Sequence, residues 1–321
     1  MSNTTKRNPS IEILKFLAAL LITNSHMAAC YPKFSFLSTG GAIGDVLFFF
    51  CSGFTIFLGR KARFDNWYKR RINRIYPTVL MWALLSSILF ANGNDMKTII
   101  FHGGGWFISC IMIYYVILYV IREKFYTRLK AVFAASCAVV MVWYAFEDSS
   151  VPFMYQETYF KWCHYFLFML LGAIIGANKS ERKYMLWKDL IMCGACIVIF
   201  YGILMLGTKW TIMSRLQIIS LIPLLGTTFF LYKVCNSGVI LMIYENKYVH
   251  FCVYSISALC LEIYLCQLAV ITPRLNHIFP FNIPIIIIGV ILLAYIVKVF
   301  SNFFSQTFKE QDYNWKAIFK L

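Results

Sequence analysis

The chain is short of charge, and above all of negative charge. Only 14% of its 321 residues are charged, and Asp plus Glu number 14. Soluble domains run near a quarter charged, so this composition excludes an ordinary soluble protein. A disordered chain is excluded as well, because disorder goes with low hydrophobicity. No cleavable signal peptide is read: the first apolar run is followed neither by a small-x-small site nor by a soluble domain. No internal repeat or linker interrupts the sequence, and the segment after Ser305 is too short for a second domain. Residues 1–321 therefore read as a single domain with no appended soluble domain. No metal site is expected. The 11 cysteines are scattered through apolar segments, and the one close pair, Cys193 and Cys196, has no His or carboxylate beside it. They read as small buried side chains.

What is present is apolar surface. Hydrophobic residues make up 60% of the chain, with a mean hydropathy of +0.68. Its 30 Phe, 20 Tyr and 8 Trp suit lipid-facing and interfacial positions. A spanning helix takes about 20 apolar residues, about 17 at the short end. Ten runs qualify: 11–30, 43–59, 75–91, 105–121, 131–146, 164–177, 189–206, 213–231, 250–271 and 283–304. The expected fold class is all-α, a polytopic integral membrane protein of about ten transmembrane helices. The net charge of +16 could mean nucleic acid, but the basic residues lie in short loops beside the spans. With the N-terminus inside, 22 of them fall inside, five outside and three (Lys15, Arg215, Lys298) in spans. That asymmetry puts both termini in the cytoplasm and argues against a nucleic-acid partner.

Polar groups inside spans are costly, so each needs a reason. Lys15 and His26 are 11 residues apart in the first run, which on a continuous helix is three turns plus about 20°. Either their shared face looks inward, or Lys15 snorkels to one headgroup layer and His26 sits at the other. Asp45 lies near the outer end of the second run, and Ser52-Gly53 could simply allow close helix packing. The loop from Arg60 to Pro77 is the densest basic stretch. Arg71 and Arg74 could share a helix face and grip phosphates, or merely anchor topology. His102 and Gly103-Gly104-Gly105 precede Trp106, where glycines would permit close backbone approach. In the ninth run Ser255 and Glu262 are seven apart and share a face, followed by Tyr264 and Gln267. A short carboxylate at mid-membrane cannot snorkel, so Glu262 is expected to pair or to function.

Taken in order, these segments resemble the membrane-bound acyltransferase type 3 family, the polysaccharide O-acetyltransferase group. The resemblance rests on Glu12-Ile13-Leu14-Lys15-Phe16 through His26, Phe48-Phe49-x-x-Ser52-Gly53-Phe54, Arg71-x-x-Arg74-Ile75-x-Pro77, Trp106-Phe107-Ile108 and Glu262-Ile263-Tyr264-Leu265-x-Gln267. It implies an acyl-CoA donor on the cytoplasmic side and a hydroxyl acceptor on a glycan or lipid-linked sugar. The donor is a substrate, acetyl-CoA or another acyl-CoA, and no bound cofactor is expected. Three positions depart from the family pattern: Lys15 stands where Arg is usual, Asp45 lies one position early, and Gln267 stands where His is frequent.

Acyl transfer from a thioester to an alcohol needs a proton acceptor and a grip on CoA. His26 is the expected general base, since an unperturbed imidazole has a pKa near 6.5. Glu262 or Asp45 could orient its ring. Arg71 and Arg74, with Lys15, are expected to bind acyl-CoA. Ser52, Trp106, Tyr264 and Gln267 are the expected substrate pocket. The expected setting is a bacterial cytoplasmic (inner) membrane, with membrane lipid around the chain. A transporter or flippase for a lipid-linked sugar is the competing class, although no inverted repeat supports it.

Overall fold

The computed structural model describes residues 8–59, 62–90, 105–147, 154–156, 158–178, 183–309 and 311–321. Among these residues there are helices and turns and no strand. The helices are α1 (Pro9–Ser25), α2 (Gly41–Leu58), α3 (Phe64–Phe90), α4 (Gly105–Lys124), α5 (Leu129–Phe146), α6 (Tyr159–Ala177) and α7 (Leu186–Gly207). They continue as α8 (Thr211–Arg215), α9 (Leu221–Cys235), α10 (Gly238–Glu245), α11 (Lys247–Ala258), α12 (Cys260–Val270), α13 (Asn282–Thr307) and α14 (Trp315–Ile318). Among the described residues eight helical segments are long and apolar enough to cross a membrane, and the pair α11–α12 makes a ninth if it is one broken span. With its 17 residues, α1 stands at the short end of what can span. The chain is an all-α polytopic membrane protein.

Four expected boundaries change. The first helix stops at Ser25, so His26 is not on it. The basic stretch expected as a loop is helical from Phe64, and α3 runs on through Pro77. A proline costs one backbone hydrogen bond, which membrane helices tolerate when neighbours satisfy the freed carbonyl. The run 213–231 is broken into α8, a 3₁₀ turn Gln217–Ser220 and α9. The run 250–271 is bent by 78° at Leu259, which removes the common face expected for Ser255 and Glu262. There the Ser257 hydroxyl donates back to the Tyr254 carbonyl at 3.0 Å, a bond that loosens the helical ladder. Of the residues named above, Arg60, His102, Gly103 and Gly104 lie outside the described residues.

The chain divides into two compact units. The first comprises Met1–Ala18, Ala42–Gly59 and Val120–Val253. At its centre α2 and α6 touch backbone to backbone. A methyl group on Gly53 would stand 1.9 Å from the Met169 carbonyl oxygen, and one on Gly172 would stand 2.1 Å from that of Phe50. One turn on, a methyl group on Gly176 would stand 2.7 Å from the Phe54 carbonyl oxygen. Gly172 and Gly176 form a G-x-x-x-G, the pattern that lets helices approach when lipid supplies no hydrophobic drive. The spans built on α2 and α6 are 72% and 67% buried in protein, against 11% for the span ending in α5 and 17% for α7. The last two therefore turn most of their apolar surface outward, as lipid-facing helices do.

The second unit comprises Ala19–Gly41, Arg60–Tyr119 and Tyr254–Leu321. In it α3, α12 and α13 pack against one another. The C-terminal segment folds back on this group: Tyr254 and Tyr295 donate to the carbonyls of Leu321 and Phe319, both at 3.1 Å, and Ile318 is buried.

Candidate functional site

His26 lies in the turn that follows α1, with its backbone N–H on the Thr23 carbonyl at 3.2 Å and its side chain exposed. The turn is tied down by amide side chains. Asn24 Nδ2 donates to the carbonyls of Leu37 (2.7 Å) and Thr39 (3.0 Å), and its Oδ1 accepts from the Tyr31 hydroxyl at 2.6 Å. Asn276 donates to the Ala29 carbonyl at 2.9 Å, and the fully buried Asn282 to that of Cys30 at 2.8 Å. Burial pushes the Cys30 thiol up, against the opposing hydrogen bond to the Thr272 carbonyl, so it stays protonated at neutral pH. The imidazole is thus presented on a fixed turn whose nearest thiol is inert.

The basic pair sits on the early turns of α3. The Arg71 guanidinium lies 5.0 Å from the ring centre of Trp67, one turn earlier, and 5.6 Å from that of Tyr115 on α4. Two aromatic faces fix its plane. Lys69, Arg70 and Arg74 are exposed around it. Arg71 is therefore the ordered member of a basic cluster, while the others are free to follow a ligand.

Trp106 and Tyr264, far apart in sequence, are brought together. The Phe107 ring bridges them, 5.8 Å from Trp106 and 5.2 Å from Tyr264. Gly105 starts α4 at φ +65°, and a methyl group there would stand 3.2 Å from the Tyr264 hydroxyl. The backbone turn and the close approach both call for glycine. Gln267, one turn beyond Tyr264, is buried, with its Oε1 lacking a hydrogen-bond partner among the described residues.

Glu262 has other partners than the expected imidazole. It is 1% exposed in the first turn of α12. Its Oε1 accepts from Lys298 Nζ on α13 at 3.0 Å and from the Thr78 hydroxyl on α3 at 3.3 Å. The Thr78 hydroxyl also meets that of Ser301, at 3.0 Å. Lys298 and Thr78 escaped the sequence reading. Lys298 was visible as a charge within a span, but its pairing with Glu262 is a tertiary fact.

Lys15, Asp45 and Ser52 fall in the first unit. Lys15 is half-buried on α1, and Ser52 is half-buried on α2 beside the tightly packed Gly53. Asp45 accepts a hydrogen bond from Tyr165 and feels the charge of Lys161. Lys161, expected in an outside loop, belongs to α6 and is buried. The same helix carries His164, fully buried, whose Nε2 meets the Met154 carbonyl at 2.7 Å. Sequence reading missed it, because one polar residue in a short apolar run has no diagnostic spacing.

Residues 8–299 match the profile of a family described as an acyltransferase domain. The chain belongs to the membrane acyltransferase type 3 family. The match runs from the residue before α1 into α13 and takes in every candidate residue named above. No curated protein and no solved structure matches the chain. For a membrane acyltransferase the described groups supply an exposed imidazole on a fixed turn, an ordered guanidinium amid other cations, and an aromatic cluster around one tyrosine hydroxyl.

Proposed function

We propose that this membrane acyltransferase moves an acetyl group from acetyl-CoA to a hydroxyl of a sugar, in a cell-surface polysaccharide or its lipid-linked precursor, at a bacterial cytoplasmic membrane. The family match carries the acyl transfer. The observation that supports a CoA donor is Arg71: a planar cation held between two rings is preorganised for a phosphate, and Arg74 stands exposed one turn on.

In this reading His26 removes the proton from the acceptor hydroxyl as its oxygen attacks the thioester carbonyl. The tetrahedral intermediate collapses, the C–S bond breaks, and the imidazolium returns the proton to the departing CoA thiolate. Trp106, Tyr264 and Gln267, all in the second unit, line the acyl or sugar side. An acyl group resting first on His26 is the alternative route, and acylated His26 trapped in the absence of acceptor would identify it.

The test uses purified protein in liposomes with acetyl-labelled acetyl-CoA and a mixed glycan extract. Label should enter glycan with release of free CoA, and both should depend on His26 and Arg71. Succinyl-CoA and longer acyl-CoAs run in parallel decide the acyl group. No binding and no turnover of any acyl-CoA would overturn the reading in favour of a lipid-linked sugar transporter.

A further inference from the structure

Three helices of the second unit meet at one buried polar junction. Glu262 comes from α12, just past the 78° bend at Leu259. Lys298 and Ser301 come from α13, and Thr78 from α3. Glu262 is 1% exposed, and the Lys298 side chain is 25% exposed. A carboxylate taken out of water is tolerated when a cation and a hydroxyl satisfy it. Here one oxygen does all the pairing: Oε1 takes both donors, and Oε2 is buried with no hydrogen-bond partner among the described residues.

The junction stands between the two parts of the candidate site in this unit. Thr78 follows Arg71 by seven residues on α3, hence on the same face and about 10 Å further along. Tyr264, whose hydroxyl lies against Gly105, follows Glu262 by two. A broken helix has no continuous ladder to fix the direction of its second half, so side-chain contacts must do so. We propose that the Glu262–Lys298 pair, with Thr78, is a positioning device: it holds the start of α12, just past the bend, against α13 and, through the Thr78 hydroxyl, against α3, and so sets Tyr264 relative to Arg71. Lys298 is then a functional residue, and Glu262 acts through geometry instead of on the His26 imidazole. The consequence for turnover rests on the acyl-transfer reading; the locking of the bend does not.

The experiment compares Glu262→Gln, Lys298→Met and the double variant in the full chain. It follows hydrogen–deuterium exchange over residues 255–266 without substrate, and kcat and KM for acetyl-CoA. Each single change leaves a buried charge or dipole unmatched, so exchange at the bend should rise several-fold and kcat/KM should fall on the order of tenfold or more. The double variant removes the same pair that each single change breaks, so both readouts should stay at the level of the single variants instead of adding. The acidic limb of the kcat/KM pH profile should stay in place in Glu262→Gln, because His26 keeps its surroundings. A double variant as inactive as Glu262→Gln but with native exchange would overturn the proposal and make Glu262 a chemical participant. So would single variants with unchanged exchange. If the unsubstituted chain turned over no acyl-CoA while the exchange pattern followed expectation, the acyl-transfer reading would fall and the locked bend would stand.

Discussion

Arg71 differs from its basic neighbours in being ordered before any ligand arrives. Its guanidinium plane is set by Trp67 and Tyr115. Lysine at this position keeps the charge but loses the flat face that rests on those rings. Arg71→Lys should therefore raise KM for acetyl-CoA about five- to tenfold with kcat nearly unchanged, the size of one desolvated cation–π contact. Steady-state kinetics over a range of donor concentrations checks this. An equal loss in kcat would mean that Arg71 acts on the transition state and not only on the bound donor. His26→Ala should instead cut kcat by about 10²–10⁴ and leave donor affinity alone, as removal of a general base does; binding of acetyl-CoA by calorimetry separates the two. The residue types were legible in the sequence, and so was the Arg71–Arg74 spacing. The cation–π partners were only half legible. Trp67 is one turn away on the same helix, whereas Tyr115 comes from a helix that only folding brings near.

Helices carry the next level, and two of them cross almost without side chains. At Gly53 and Gly172 a single methyl group would overlap a facing carbonyl oxygen, and backbone cannot yield as a side-chain tip can. Gly53→Ala and Gly172→Ala should each destabilise by about 2 kcal/mol or more, read as a lower midpoint in detergent unfolding. Gly194 and Gly202 on α7 face open space, so alanine there should leave the midpoint alone or raise it. The turn after α1 gives a second case. Asn24 makes three side-chain hydrogen bonds that fix the chain around His26. Asn24→Ala should lower kcat on the order of tenfold while sparing donor KM, since it loosens the base and not the donor site. Long apolar helices were legible because lipid demands them, although ten runs were expected and eight helices with one bent pair qualify among the described residues. The bend at Leu259 was not: Ser255 to Glu262 reads as unbroken helix, and its deflection depends on contacts with α3 and α13. The G-x-x-x-G of α6 was written in the sequence, yet its partner surface at Gly53 appears only when the helices are docked.

At the scale of the whole molecule the open quantity is parity. Among the described residues eight segments and one broken pair qualify as spans. If the 17-residue α1 also crosses, the count is even and the two termini share a side; if α1 lies along the interface, they are on opposite sides. The distribution of Lys and Arg makes the even count with both termini cytoplasmic the expectation to test. A fluorescent-protein fusion after Leu321 should then glow in cells, and a phosphatase inserted in the turn at 32–34 should be active outside. Phosphatase activity at the C-terminus would instead make α1 non-spanning, or reverse the whole insertion. The outcome bears directly on chemistry. With α1 crossing, His26 stands at the far end of a span whose start is cytoplasmic, while Arg71 lies near the cytoplasmic start of α3. A donor held by its phosphates at Arg71 must then extend its pantetheine arm through the protein to reach the base, and the acceptor sugar can be met outside without acetyl-CoA leaving the cell. With α1 lying flat, α2 still crosses between His26 and Arg71, so the two groups remain at opposite faces; Leu321 outside would then place Arg71 outside and His26 inside. The fusion experiment therefore decides which face carries Arg71, and with it whether a cytoplasmic acyl-CoA can reach that cluster.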